Sequence, residues 1–162
     1  MGLRVRQRLR PGAAPAADNE SKWPYAKPLL TDPSVRPGCS EITGASAAYR
    51  DLLRIRTTEK VFSQTTVEGV RQVLSFPLSG TGETPGVITM GLGRLVVVFN
   101  ATPSRQSQTV PALAGTPYAL HPVQAHGADA TVRTSGYERA TGTFTVPGRT
   151  VAVFTASGAV GR

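Results

Sequence analysis

The chain is poor in the residues that staple or metallate a small protein. Its 162 residues include one cysteine, Cys39, and two histidines, His121 and His126. A single thiol closes no internal disulfide, which suits a reducing compartment. A zinc site needs three or four ligands. "HPVQAH" offers two, with Cys39 far away in sequence and Asp129 alone, so no metal and no cofactor are expected. Long apolar runs are also missing. Nothing approaches the roughly 20 residues of a membrane span. The N-terminal arginines have no apolar stretch behind them, so no secretory signal is expected and the default location is cytoplasmic. Phosphate-loop and nucleophile-elbow patterns are absent too. "SGTGETPG" has glycines but no following lysine or helix signal, and no G-x-S-x-G occurs.

Acidic residues are outnumbered, and the net charge is +8. That balance invites nucleic acid, but its distribution argues against it. "LRVRQRLR" holds Arg4, Arg6, Arg8 and Arg10 and no acid; without them the net charge is +4. From Val61 onward, seven arginines and four acids are spread singly. A nucleic-acid footprint is normally clustered on one face. Here the cluster lies in a Pro/Ala/Gly-rich start, and residues 1–17 are expected to be irregular.

What is present is a change of period. "SKWPYAKPLLTDPSVRPG" has four prolines in eighteen residues, which predicts an extended arm carrying Trp23, Tyr25, Leu29 and Leu30. Glu41 to Arg56 is the one expected helix. Ile42, Ala45, Tyr49, Leu52 and Leu53 form its stripe, and Arg50, Arg54 and Arg56 suit its C-terminal dipole. Beyond it the period becomes two. "VRQVLSF", "GVITM", "RLVVVFNA", "PYALHPV", "ATVRTS", "GTFTV" and "RTVAVFT" are expected strands. "GLGR" is a hairpin turn between two of them. "RLVVVFNA" is apolar on both faces, as a covered central strand requires. Pro147-Gly148 suits a type II turn with glycine at the positive φ. The expected fold is mainly β: an antiparallel β-sandwich preceded by one α-helix and an extended N-terminal arm.

A glycosidase needs two carboxyl groups across the scissile bond. Ten acids are present. Asp18 and Glu20 form the close pair of the N-terminal arm, while Glu68, Glu83, Asp129 and Glu138 are scattered. No catalytic residue is expected. Sugar surfaces use exposed aromatic faces, and ten aromatics are available. Phe76, Phe99, Phe144 and Phe154 follow strand patterns and are expected in the core. Trp23, Tyr118 and Tyr137 remain as candidate carbohydrate contacts. "NAT" at Asn100–Thr102 matches a glycosylation sequon, a pattern common by chance.

Six segments in order, "ADNESKWPYAKPLL", "AAYRDLLRIRTTEKVFS", "VRQVLSFPLSGTGETPGVITM", "RLVVVFNATP", "YALHPVQ" and "FTVPGRTVAVF", resemble the carboxyl-terminal end of pullulanase-type α-1,6-glucosidases. These are the starch-debranching members of the α-amylase clan. The resemblance covers Ala17 to about Thr155. It implies a much longer enzyme, in which a (β/α)8 barrel carries a catalytic aspartate, an acid glutamate and a second aspartate. No position here matches those motifs. It further implies that residues 18–60, with helix 41–56, are the run-out of that barrel, that residues 61–156 are the C-terminal β-sandwich, and that 157–162 are a tail. The missing barrel is the implied partner, with α-glucan as a second. "MGLRVRQRLRPGAAP" departs from the family, which suggests a truncated or frame-shifted product. The readings to be weighed are therefore a non-catalytic C-terminal domain, a free-standing carbohydrate-binding module, and an arginine-tail nucleic-acid binder.

Overall fold

The computed structural model describes residues 15–80 and 83–157. Two compact units divide between Ile42 and Thr43. Of the irregular start expected over residues 1–17, residues 1–14 with their arginines lie outside the described residues, and Ala16 and Ala17 begin a helix instead; of the tail expected over 157–162, residues 158–162 lie outside them.

In the first unit the expected extended arm is helical instead. Helix α1 spans Ala16–Asn19, and α2 spans Trp23–Thr31. Counting prolines misled because position matters more than number. Pro24 lies in the first turn of α2, where its missing N–H would have no partner anyway. Only Pro28 sits inside the helix. The helix stops at Asp32, whose carboxylate accepts the Ser34 N–H at 2.8 Å. No residue of α2 is buried; Tyr25 and Leu29 are 77% and 60% exposed.

Helix α3 spans Cys39–Thr58, two residues longer at each end than expected. The Glu41 carboxylate reaches back to the Gly38 N–H at 2.8 Å, a capping-box contact. Its buried face differs from the predicted stripe. Asp51 and Ile55 are buried, whereas Ile42, Tyr49 and Leu53 are exposed. The stripe was chosen on apolarity alone. Asp51 can lie inside because its carboxylate accepts the Ala128 N–H at 2.9 Å.

"VRQVLSF" is a second correction. Helix α4 spans Val67–Val73, and strand β1 is only Leu74–Ser75. The Thr66 hydroxyl accepts the Gly69 N–H at 3.0 Å and starts a helix where a period of two was read. Phe76 is consequently exposed.

The remaining strands are β2 Val87–Leu92, β3 Leu95–Asn100, β4 Gln106–Thr109, β5 Tyr118–Leu120, β6 Gly136–Glu138, β7 Thr143–Val146 and β8 Thr150–Ala156. They form a five-stranded sheet, β1-β2-β3-β8-β5, and a three-stranded sheet, β4-β7-β6. Every pairing is antiparallel. The mainly β, two-sheet reading is borne out. Helix α5, Pro122–Ala125, ends the expected strand "PYALHPV" early. "ATVRTS" contains a 3-10 turn at Val132–Thr134 rather than a strand. Strands β4 and β6 had no apolar alternation to announce them; "QSQT" buries only Gln108.

Strand β3 is central, as its two apolar faces require. Val96 and Val98 face the smaller sheet with Phe144, Val146 and Phe154. Leu95 and Val97 face the other way, with Ile55, Leu92 and Val153. Phe99 was expected in the core but is 36% exposed at the strand's end. Leu92 and Leu95 pair across a two-residue turn, Gly93-Arg94, with Gly93 at φ 58°. The turn before β8 is not the expected type II. Arg149, not Gly148, takes the positive φ, at 52°. Gly148 is needed because a Cβ there would collide with the Pro103 carbonyl.

Candidate functional site

Tyr118 and Tyr137 meet edge to face, with ring centroids 5.3 Å apart. Both pack on Phe144, at 5.4 and 4.6 Å, and Phe144 packs on Phe154 at 5.0 Å. The Tyr137 hydroxyl donates to the Leu113 carbonyl at 2.7 Å. Burial pushes both phenols above their ordinary pKa; the neighbouring Tyr137 adds to the effect on Tyr118. Thus the rings' neighbours are those of a core cluster that reaches the surface at its edge. Trp23 lies in the other unit, half-buried, with the Lys27 ammonium 4.4 Å from its ring centroid. The structure brings Tyr118 and Tyr137 together.

The titratable groups serve architecture. Glu59, just after α3, accepts from the Arg94 guanidinium at 3.0 and 3.2 Å. His121, at the end of β5, lies 3.2 Å from the same carboxylate through Nε2. Its Nδ1 accepts the Val123 N–H at 3.3 Å. With Nδ1 accepting, Nε2 carries the proton and donates to Glu59. His121 is buried. It caps α5 and, with Arg94, ties the end of α3 to the β2–β3 turn. Sequence reasoning missed this trio because its members are 27 to 62 positions apart; no spacing signal exists.

Burial raises the Glu59 pKa, but hydrogen bonds from Arg94 and His121, and their charge, hold it below its ordinary value. A carboxylate of depressed pKa contributes stability above its unfolded value, roughly 4.3, and loses it as pH falls through the folded value. Urea unfolding of the wild type should therefore weaken between about pH 5 and 3 more steeply than that of Glu59→Gln. Parallel pH curves for the two would refute the pin.

Asp32 and Glu41 are likewise held below their ordinary values. Asp32 accepts from Ser34, first from its backbone and then from its side chain. Glu41 accepts from its own backbone N–H, then Ser40, then Gly38. Among the described residues, no cluster of three His, Cys, Asp or Glu could hold a metal ion. Likewise, no helix there is long and apolar enough to cross a membrane. Asn100, the predicted sequon, is 2% exposed. Its amide nitrogen donates to the carbonyls of Ser104, Val146 and Pro147 at 2.8, 3.2 and 2.9 Å. Its oxygen accepts from the Thr102 N–H and hydroxyl. Asn100 thus ties the end of β3 both to the loop that follows it and to the turn before β8.

Two antiparallel sheets, with a helix on the outer face of the larger one, define a β-sandwich domain. The sequence profile of "Alpha-1,6-glucosidases, pullulanase-type, C-terminal" matches residues 11–157, and the chain belongs to that family as a C-terminal domain. Pullulanase 1, chloroplastic, of Arabidopsis thaliana is 37% identical over 163 residues, covering 90% of this chain and 17% of the plant protein. The crystal structure of apo pullulanase from Klebsiella pneumoniae superposes with a TM-score of 0.70 at 23% identity, over 91% of this chain and 17% of that one. PulA from Klebsiella oxytoca gives 0.60 at 25% identity, over 75% of this chain and 13% of that one. The chain therefore spans under a fifth of the length of each of these relatives.

Proposed function

We propose that this chain serves as the non-catalytic C-terminal domain of a pullulanase-type α-1,6-glucosidase, within an enzyme that debranches starch and pullulan. The family match over residues 11–157, against a relative about six times longer, carries the reading. Hydrolysis would need two carboxyl groups across the bond, one with its pKa raised to act as acid. The carboxylates here with perturbed acidity, Asp32, Glu41 and Glu59, are all shifted downward. The reacting groups would belong to a catalytic barrel, which would be this domain's partner. In this reading Tyr118 and Tyr137 act as core aromatics, with no glucan contact of their own.

Two assays test it. The purified chain incubated with pullulan should release no new reducing ends. A chimera of the plant relative, with its aligned segment replaced by residues 17–157 of this chain, should hydrolyse pullulan. Hydrolysis by the chain alone, or a folded but inactive chimera, would overturn the reading.

A further inference from the structure

From Val61 onward the arginines are scattered in sequence, but the fold collects three of them around one loop, residues 127–134. Arg105 lays its guanidinium against Thr134. Nη1 donates to the Thr134 carbonyl and Nη2 to its Oγ1, both at 3.0 Å. Arg133 stands within the loop and donates to the Gly127 carbonyl at 3.4 Å. Arg149 lines a groove together with Asp129 and Val132 of the loop. Arg105 and Arg149 also stand on segments clasped to each other. The Arg149 N–H donates to the Thr102 carbonyl at 2.8 Å. Gly148 lies so close to Pro103 and Ser104 that no Cβ fits.

All three arginines are exposed. Among the described residues, none of the three forms an ion pair. Two acids lie near. Asp51, whose carboxylate meets Ala128, is buried and faces Arg54 at 3.4 Å. Asp129 accepts the N–H groups of Thr131 and Val132 through Oδ1, at 2.8 and 3.4 Å. Three arginines against Asp129 leave a charge of +2 on the loop. Among the described residues, Arg149 is the non-glycine residue with a positive φ, 52°. Glycine would take that backbone freely, yet the position carries arginine. Strain kept at an exposed residue points to a task for its side chain.

We propose that this loop end is a binding site for a phosphate group. An arginine fork pairs with oxyanions through parallel N–H bonds. The free phosphate oxygens number three, one for each arginine, whereas a carboxylate offers two. A phosphate monoester carries about −1.5 to −2 at neutral pH, which matches the charge of the loop. Thr134 fixes the Arg105 guanidinium through two of its five N–H groups, and the others stay available to a ligand.

The test titrates the full chain with inorganic phosphate and with glucose 6-phosphate at constant ionic strength, beside glucose as control. NMR reads the arginine Nε–H signals and the amides of residues 127–134. Phosphate should give saturable shifts confined to Arg105, Arg133, Arg149 and the loop; glucose should give none. Tighter binding of glucose 6-phosphate would mark a phosphorylated sugar as the source, and equal binding would mark free phosphate. Either result supports the site. Arg105→Gln and Arg149→Gly should each weaken binding about tenfold or more, as loss of a charge-assisted hydrogen bond does. Arg149→Gly separates binding from folding, because glycine suits the positive φ. Its urea midpoint should match or exceed wild type while its affinity falls. Shifts that never saturate, or unchanged affinity in both variants, would overturn the site. Saturable binding of duplex DNA through these arginines, without any response to phosphate, would assign the patch to nucleic acid and also overturn it.

Discussion

Asn100→Asp should destabilise the domain by about 3 kcal/mol at neutral pH, because a buried polar group left without partners costs roughly 1–3 kcal/mol and more when charged. The substitution preserves shape. It replaces an NH2 that donates to three carbonyls with an oxygen that repels them. The Thr102 contacts can survive, since either carboxylate oxygen accepts. The cost therefore isolates the donor side of the side chain. Chemical denaturation followed by circular dichroism measures it. A loss under about 0.5 kcal/mol, the range of ordinary surface substitutions, would mean the amide is not the clasp between β3 and the turn at Val146–Pro147.

Phe144→Ala should cost about 3–5 kcal/mol, the usual range for deleting a buried aromatic. Phe144 is fully buried and is the ring on which Tyr118, Tyr137 and Phe154 converge. Whole domains hold only about 5–15 kcal/mol, so much of the native population should be lost on modest heating. The loss should also free Tyr118 and Tyr137. Their phenol pKa values, raised chiefly by burial, should fall toward the ordinary value near 10 in whatever folded fraction remains. Spectrophotometric tyrosine titration reads this. Unchanged titration beside a large stability loss would show that the tyrosines are buried by other neighbours.

Both predictions concern residues whose chemistry the linear pattern described only in part. The alternation in "GTFTV" placed Phe144 in the core correctly. The same rule placed Phe99 and Phe76 there, and both are exposed. Alternation reports which face a side chain takes, not how far along a strand the opposing layer extends. Phe99 shares its face with the buried Leu95 and Val97, but the cover ends before it. Phe76 failed for a different reason. Seven residues admit either period, and the capping Thr66 decided for a helix.

The arginine-rich end of α3 was legible, but its inner face was not. Asp51 is buried because the N–H of Ala128, 77 positions away, meets its carboxylate. Gln124 is buried for the same kind of reason. Its amide donates to the Val151 carbonyl and accepts the Val153 N–H, both at 2.8 Å. That continues along β8 the pairing that β5 gives up at Leu120. Hydropathy assigns such residues outward, since it cannot know that a backbone partner is waiting.

Local chemistry thus determined that β2, β3, β7 and β8 would be strands, that β3 would be covered on both sides, and where the main helix ran. The ordered family segments established the domain's kinship. These follow from periodicities and capping preferences that neighbouring residues enforce. The tertiary structure alone decided the Glu59–Arg94–His121 pin, the Asn100 clasp, the burial of Asp51 and the gathering of Arg105, Arg133 and Arg149 around one loop. Each depends on groups distant in sequence meeting, or failing to meet, a partner, and a buried polar atom or an uncovered apolar one is defined only by what lies across from it.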